Sequence, residues 1–205
     1  MLAVGHVALG YLFGKSVGYL TGRRPSLLLL WVFSVLPDLD LLLPFLEHRG
    51  PSHSLVLMGA LSLPFLIWNW RIMLPYLASS LSHSLVGDYF TGGALMFWPL
   101  SSAWVKSPLG LSMASVSEWY LELVLAGVFM MLLVFSKDYR VLLRSSKLDF
   151  RFSLLFLPLC VVVLPALLLF PRLIPRLLLL PHLLLIGLVL LPVLSAAVRH
   201  FKGLG

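Results

Sequence analysis

Charge is what this sequence has least of. Only 11% of its 205 residues are charged, against about a quarter in soluble globular domains. So little polar surface cannot cover a water-soluble particle of this size. Cysteine is nearly absent as well. The single Cys160 lies in the run FLPLCVVVLPALLLF, which excludes an internal disulfide and suits a small inert hydrophobe in lipid. No basic residue precedes the first apolar stretch, and His6 and Lys15 interrupt it, so a cleaved signal peptide is not expected. The net charge is +7, but no basic stripe with interleaved aromatics accompanies it, and nucleic acid is not an expected partner. There is no long repeat and no disordered tail.

What is present is apolar sequence in long runs. Hydrophobic residues make up 60% of the chain, and the mean hydropathy is +1.01. A helix needs roughly 20 mostly apolar residues to span a bilayer. Seven stretches qualify, at about 2–20, 27–46, 55–70, 72–90, 119–135, 152–170 and 177–198. The expected fold is therefore all-α, a polytopic transmembrane helix bundle of about seven spans. Gly10, Gly14 and Gly18 recur every four residues in the first span and give it a smooth face for close helix packing. Pro37 in the string PDLD removes a backbone donor, so the second span is expected to be broken. Residues 1–125 carry nearly all the interior polar groups, whereas 126–205 read as a Leu-rich scaffold, the two forming one structural unit.

Basic residues orient such a bundle, since cytoplasmic gaps collect Lys and Arg. With seven spans, the gaps at 21–26, 71 and 136–151 and the tail from 199 hold ten Lys and Arg, while the opposite gaps hold four. The ten-residue side is then cytoplasmic. On that topology Asp38, Asp40, Glu47, Asp88, Glu118 and Glu122 all fall on the outer side, six of the eight acids. His6, His48, His53 and His83 fall there too. Ionisable groups at membrane depth are costly and mark functional sites. Carboxylates mixed with imidazoles are the ligand set of a divalent transition metal.

Each piece has a plainer reading. Asp38 and Asp40 after Pro37 can end a helix, and Ser52 can cap the third span. The run HSLVGDYFTGG can be a polar helix end before a glycine turn. Glu118 and Glu122 suit the dipole at a helix start, and for them that plainer reading is preferred. His182 and His200 stand alone and are assigned no role.

The order His6, then PDLD at 37–40, then HRGPSHS at 48–54, then His83 and Asp88 with Thr91 and Gly93, then Trp98-Pro99 resembles the YdjM-type family of inner-membrane proteins, regarded as metal-dependent hydrolases. The resemblance covers about residues 1–125. That family is in turn distantly similar to zinc-dependent phospholipase C and its single-strand nuclease relatives, which is a fold-level analogy. It implies His and Asp ligands around zinc and cleavage of a phosphoester. In the family an acid often follows the histidine at the His83 position by four residues, whereas Asp88 follows by five. An ideal helix would set the two about 140° apart. A π-bulge near Gly87 would realign them.

The reading is a membrane-embedded, metal-dependent hydrolase at the cell membrane with its site toward the extracytoplasmic side. His6, Asp38, Asp40, His48, His53, His83 and Asp88 are the candidate ligands of one or more divalent ions, zinc before manganese or iron. Asp38 and Asp40 can share one site only where the backbone is extended. Arg49, with its planar donor fork, is the candidate clamp for an anionic phosphate, and Arg49 and Asp40 are the candidate catalytic residues. The expected partners are membrane lipids and a lipid-phosphate substrate. The alternative is a transporter that passes a metal ion or protons along the same groups.

Overall fold

The computed structural model describes residues 1–43, 45–112, 115–143 and 175–201. Their elements are helical, and the single isolated bridge pairs Ala94 with Val105. In chain order they are α1 (Ala3–Leu20), α2 (Leu27–Val35), a 3-10 helix (Leu36–Leu42), a short 3-10 turn (Pro51–His53), α3 (Leu55–Ser82), a π-helical turn (His83–Asp88), α4 (Tyr89–Thr91), α5 (Val116–Phe135), α6 (Tyr139–Leu143) and α7 (Arg176–Phe201).

Local chemistry sets where these helices begin and end. Gly22 has a φ of 65°, Gly22 N donates to Tyr19 O, and Arg23 N donates to Gly18 O. This pair of bonds around a left-handed residue closes α1 and satisfies its last carbonyls. Ser54 Oγ accepts from Leu57 N and caps α3. Ser115 Oγ accepts from Glu118 N and caps α5.

Two helical runs among the described residues are long and apolar enough to cross a membrane, Leu55–Thr91 and Val116–Phe135. The first run does not stay straight. Asn69 leaves helical geometry, with φ −158° and ψ 85°, and Ser80 Oγ reaches Met58 Sδ at 3.3 Å. A continuous helix would hold those residues about 33 Å apart, so the run folds back at Asn69 into a hairpin. Its arms correspond to the spans expected at 55–70 and 72–90. The expectation of seven spans is therefore met only in part. α2 has nine residues and is about 14 Å long, half a hydrocarbon core, because Pro37 ends it and the chain continues as a 3-10 helix. In α7 the apolar stretch is Arg176–Leu190. The span expected at 152–170, with Cys160, lies outside the described residues.

α1 is the interior element. A Cβ on Gly10 would meet Ser34 Cβ at 2.3 Å and Ser79 Oγ at 2.6 Å, and one on Gly14 would meet Leu30 Cδ2 at 2.3 Å. The glycine face thus admits α2 and α3 at backbone distance, and Ser79 Oγ donates to Leu30 O across the seam. Tyr11, Trp31 and Phe129 pack edge to face within 6 Å-scale centroid separations of 5.3 and 5.7 Å. With Leu185 and Val189 from α7 they tie α1, α2, α5 and α7 into one core. The packing fixes α1 against the open end of the α3 hairpin, which is where the polar residues gather.

Candidate metal centre

Four separate stretches deliver the polar cluster: α1 brings His6, the 3-10 helix brings Asp38 and Asp40, the loop before α3 brings His48, Arg49 and His53, and the π turn brings His83 and Asp88. His53 and His83 flank the two arms of the hairpin almost symmetrically about Asn69, so folding at Asn69 brings them together. Their Nε2 atoms stand 3.2 Å apart.

Two carboxylates face that pair of nitrogens. Asp38 Oδ1 lies 3.3 Å from His53 Nε2 and 3.3 Å from His83 Nε2. Asp88 Oδ2 lies 3.4 Å from His53 Nε2 and 3.3 Å from His83 Nε2, and it has no hydrogen-bond donor. Two triangles of ligand atoms therefore share the His53–His83 edge. Ligands held about 2.0–2.1 Å from one ion at tetrahedral angles stand roughly 3.3 Å apart, so the spacing fits a transition metal. Two imidazole nitrogens with carboxylate oxygens also fit the donor chemistry.

The far side of each imidazole is held. His83 Nδ1 lies 2.7 Å from Ser34 O; a carbonyl only accepts, so Nδ1 carries the proton and Nε2 presents its lone pair to the centre. His53 Nδ1 lies 3.3 Å from Asp40 Oδ2 and 3.0 Å from Ser52 Oγ. This is the carboxylate–histidine arrangement that orients metal-binding histidines.

The π turn meets the spacing problem posed by the sequence. His83–Asp88 is a π-helical turn, and its wider winding brings residues five apart onto one face. Gly87 sits inside it, where a Cβ would lie 2.4 Å from His6 Cε1. The missing side chain leaves room for the His6 ring, which stacks on His83 with centroids 3.6 Å apart. His6 Nε2 lies 3.9 Å from Asp88 Oδ1, and His6 Nδ1 has no partner.

Asp40 and His48 stand behind this centre. Within the 3-10 helix the two acids of PDLD point to opposite edges of the His53 ring, Asp38 to Nε2 and Asp40 to Nδ1. Asp40 also accepts from Ser52 Oγ at 2.7 Å and Arg49 N at 3.2 Å, and pairs with His48 Nδ1 at 3.0 Å. It thereby organises the whole HRGPSH loop, while His48 remains half exposed. Groups able to hold an ion are His6, Asp38 and His83; Asp38, His48 and His53; and His53, His83 and Asp88.

Arg49 adopts a φ of 64°, and its guanidinium runs inward. Nη2 lies 3.4 Å from Asp88 Oδ1, and Nη1 donates to Thr91 O. Gly92 makes room, since a Cβ there would meet Nη1 at 2.4 Å.

Glu118 lies in the first turn of α5, as the plainer reading has it, but neither it nor Glu122 faces solvent. Both are fully buried. Leu2 N donates to Glu122 Oε1, and Met1 N lies 3.6 Å from Glu118 Oε1 and bonds Thr91 Oγ1. A second acidic group thus packs beneath α1, next to the helix end that Arg49 grips. Their spacing of four residues on one face was the available signal; what buries them is a segment more than a hundred residues away. His182 bonds Leu178 O within its own helix.

A family model described as YdjM inner membrane protein matches residues 1–170. The match runs past residue 125, where the motif resemblance ends. No curated protein and no solved structure matches the chain.

Proposed function

The chain belongs to the YdjM inner membrane protein family, and from that premise we propose that it is a membrane-embedded, metal-dependent hydrolase acting on a phosphoester of a lipid or lipid-linked molecule. The observation that carries the proposal is the His53–His83 pair, 3.2 Å apart and flanked by Asp38 and Asp88. Four such groups packed together without a cation would place two carboxylates and two imidazoles in a poorly solvated interior, which is expensive unless they coordinate an ion. His53, His83, Asp38 and Asp88 hold the ion, with zinc favoured and manganese or iron possible, and His6 adds to the same pocket. Asp40 orients His53 from behind. A divalent ion there would supply Lewis acidity and lower the pKa of a bound water to about 7.

Arg49 stands beside Asp88, where its planar fork is placed to clamp an anionic oxygen. The multi-pass arrangement of seven spans, with the centre on the extracytoplasmic side, completes the proposal. It rests on the basic-residue count and on the hairpin, whose open end carries the centre. The rival reading, passage of a metal ion or protons, predicts flux into liposomes and no turnover.

The test is hydrolysis of a panel of phospholipids and lipid phosphates by protein purified in mild detergent. Turnover that needs the metal, and that Arg49→Lys weakens while metal content stays near wild type, is the expected result. Zinc or proton flux without hydrolysis would favour the rival.

A further inference from the structure

The segments that frame the centre, a 3-10 helix end and a loop, are too short to span a membrane, yet they expose large apolar side chains. Leu41 and Leu42 end the 3-10 helix that carries Asp38 and Asp40, and Phe45 follows, 77% exposed. On the other flank, the loop after α4 exposes Phe97, Leu100 and Trp104, with Leu100 at 80%. This loop is bonded to the HRGPSHS segment, since Ser54 Oγ donates to Met96 O and Leu95 N donates to Arg49 O. Loops in water are polar as a rule, and exposed apolar clusters beside a polar site mark a surface that meets something apolar.

The hairpin supplies a ruler for what that is. At its tip Ile67 and Trp68 are 78% and 82% exposed, and Arg71 lies over the Trp70 ring at 5.4 Å. Tryptophan with arginine at the end of an apolar helix marks a membrane–water boundary. From Asn69 back to His53 or forward to His83 the rise is about 21–24 Å. A hydrocarbon core is about 30 Å thick, so the centre falls short of the far boundary by less than about 10 Å. One framing segment carries Asp38 and Asp40 and the other bonds Arg49 and Ser54 through Leu95 and Trp98, so both sit at the level of the centre, near that boundary.

We propose that Leu41, Leu42 and Phe45 on one side and Phe97, Leu100 and Trp104 on the other form a rim seated in the bilayer interface, so that the centre opens sideways to lipid. The partner of this surface is the bilayer itself, at the depth where headgroup meets acyl chain. An amphiphile can then bring its headgroup to the centre while its chains stay in the hydrocarbon. That last step rests on the hydrolase proposal, whereas the seating of the rim does not.

The rim is tested by spin-label depth measurement in phospholipid nanodiscs, in a Cys160→Ala background. Nitroxides are placed at Leu100→Cys and Phe45→Cys, with Ile67→Cys as the reference at the opposite interface and Glu47→Cys as the water reference. The ratio of relaxation by oxygen to relaxation by a water-soluble nickel chelate is expected to be several-fold above the Glu47→Cys value at both rim positions, close to the Ile67→Cys value. Ratios equal to that of Glu47→Cys overturn the proposal. If labelling perturbs the fold, unlabelled protein answers the same question through lipids brominated along the acyl chain. Their quenching of tryptophan emission is expected to shrink in Trp104→Phe, and quenching unchanged by that substitution counts against the rim. Neither readout depends on turnover, so an inactive protein with a lipid-seated rim would refute the hydrolase proposal alone.

Discussion

Gly87 decides how closely α1 can approach the π turn. A Cβ there would lie 2.4 Å from His6 Cε1 and 2.6 Å from His6 Nδ1, with a buried ring that has nowhere to retreat. Gly87→Ala is expected to destabilise the protein by about 1–3 kcal/mol, the usual range for overpacking. It should also lower metal content, both readable by thermal unfolding in detergent and by elemental analysis. A variant with full metal and an unchanged melting temperature would show that His6 is not held by this contact. Asp40 makes a different case, because it touches His53 Nδ1 and not Nε2. Asp40→Asn is expected to weaken zinc affinity by about 10–100-fold, as loss of an outer partner does, in a competition titration against a chelator. Complete loss of binding would place Asp40 on the ion itself. At this scale the sequence was informative where chemistry is local: the order of His and Asp, and the five-residue step from His83 to Asp88 that called for a π turn. The division of labour between Asp38 and Asp40 was not legible, because it depends on the 3-10 winding that aims them at opposite edges of one ring. The burial of Glu118 and Glu122 depends on residues 1 and 2, and their four-residue spacing is its one local sign.

Among the elements, the hairpin does most to build the centre, and α1 locks it from the side. The seam at the other end of α1 is closed by ionic contact: Lys15 Nζ and the Tyr11 hydroxyl both bond Asp138 Oδ2, at 2.5 and 2.7 Å. Partial burial opposes the charged carboxylate, but the Lys15 and Tyr11 hydrogen bonds outweigh it and hold the Asp138 pKa below its usual value. A carboxyl depressed on folding stabilises the protein above its unfolded pKa of about 4 and loses that contribution as pH falls through the folded value. Asp138→Asn is therefore expected to cost about 1 kcal/mol at neutral pH, at the low end for charged hydrogen bonds because the pair is partly exposed. The gap in melting temperature between variant and wild type should close as pH falls toward 3. A gap that is constant with pH would mean that the hydrogen-bond geometry matters and the charge does not. The end of α2 was readable from Pro37, but α3 is capped by Ser54 and not by the expected Ser52, and the cap at Ser115 had no place in the sequence reading. The reversal at Asn69 was legible only as a gap between two apolar runs, and α2 reads as a span because hydropathy does not register that Pro37 cuts the helix to half a bilayer.

Over the whole molecule, a glycine-faced helix held inside a bundle carries His6 to the open end of a hairpin, where Asp38, Asp40, Asp88 and Arg49 gather. From the positive-inside count we propose that this end faces outside. In a Cys160→Ala background, Ser102→Cys is expected to react with a membrane-impermeant thiol reagent in intact cells, and Ser145→Cys only after lysis. The reverse pattern would turn the centre toward the cytoplasm without touching its chemistry. The proposed chemistry depends on an ion between His53, His83, Asp38 and Asp88, and elemental analysis of the purified protein tests it most directly. Protein prepared in mild detergent without chelator is expected to carry close to stoichiometric zinc, manganese or iron, and His83→Ala to carry little. Wild-type protein that is folded, free of metal and unable to take up any of the three on reloading would contradict the account.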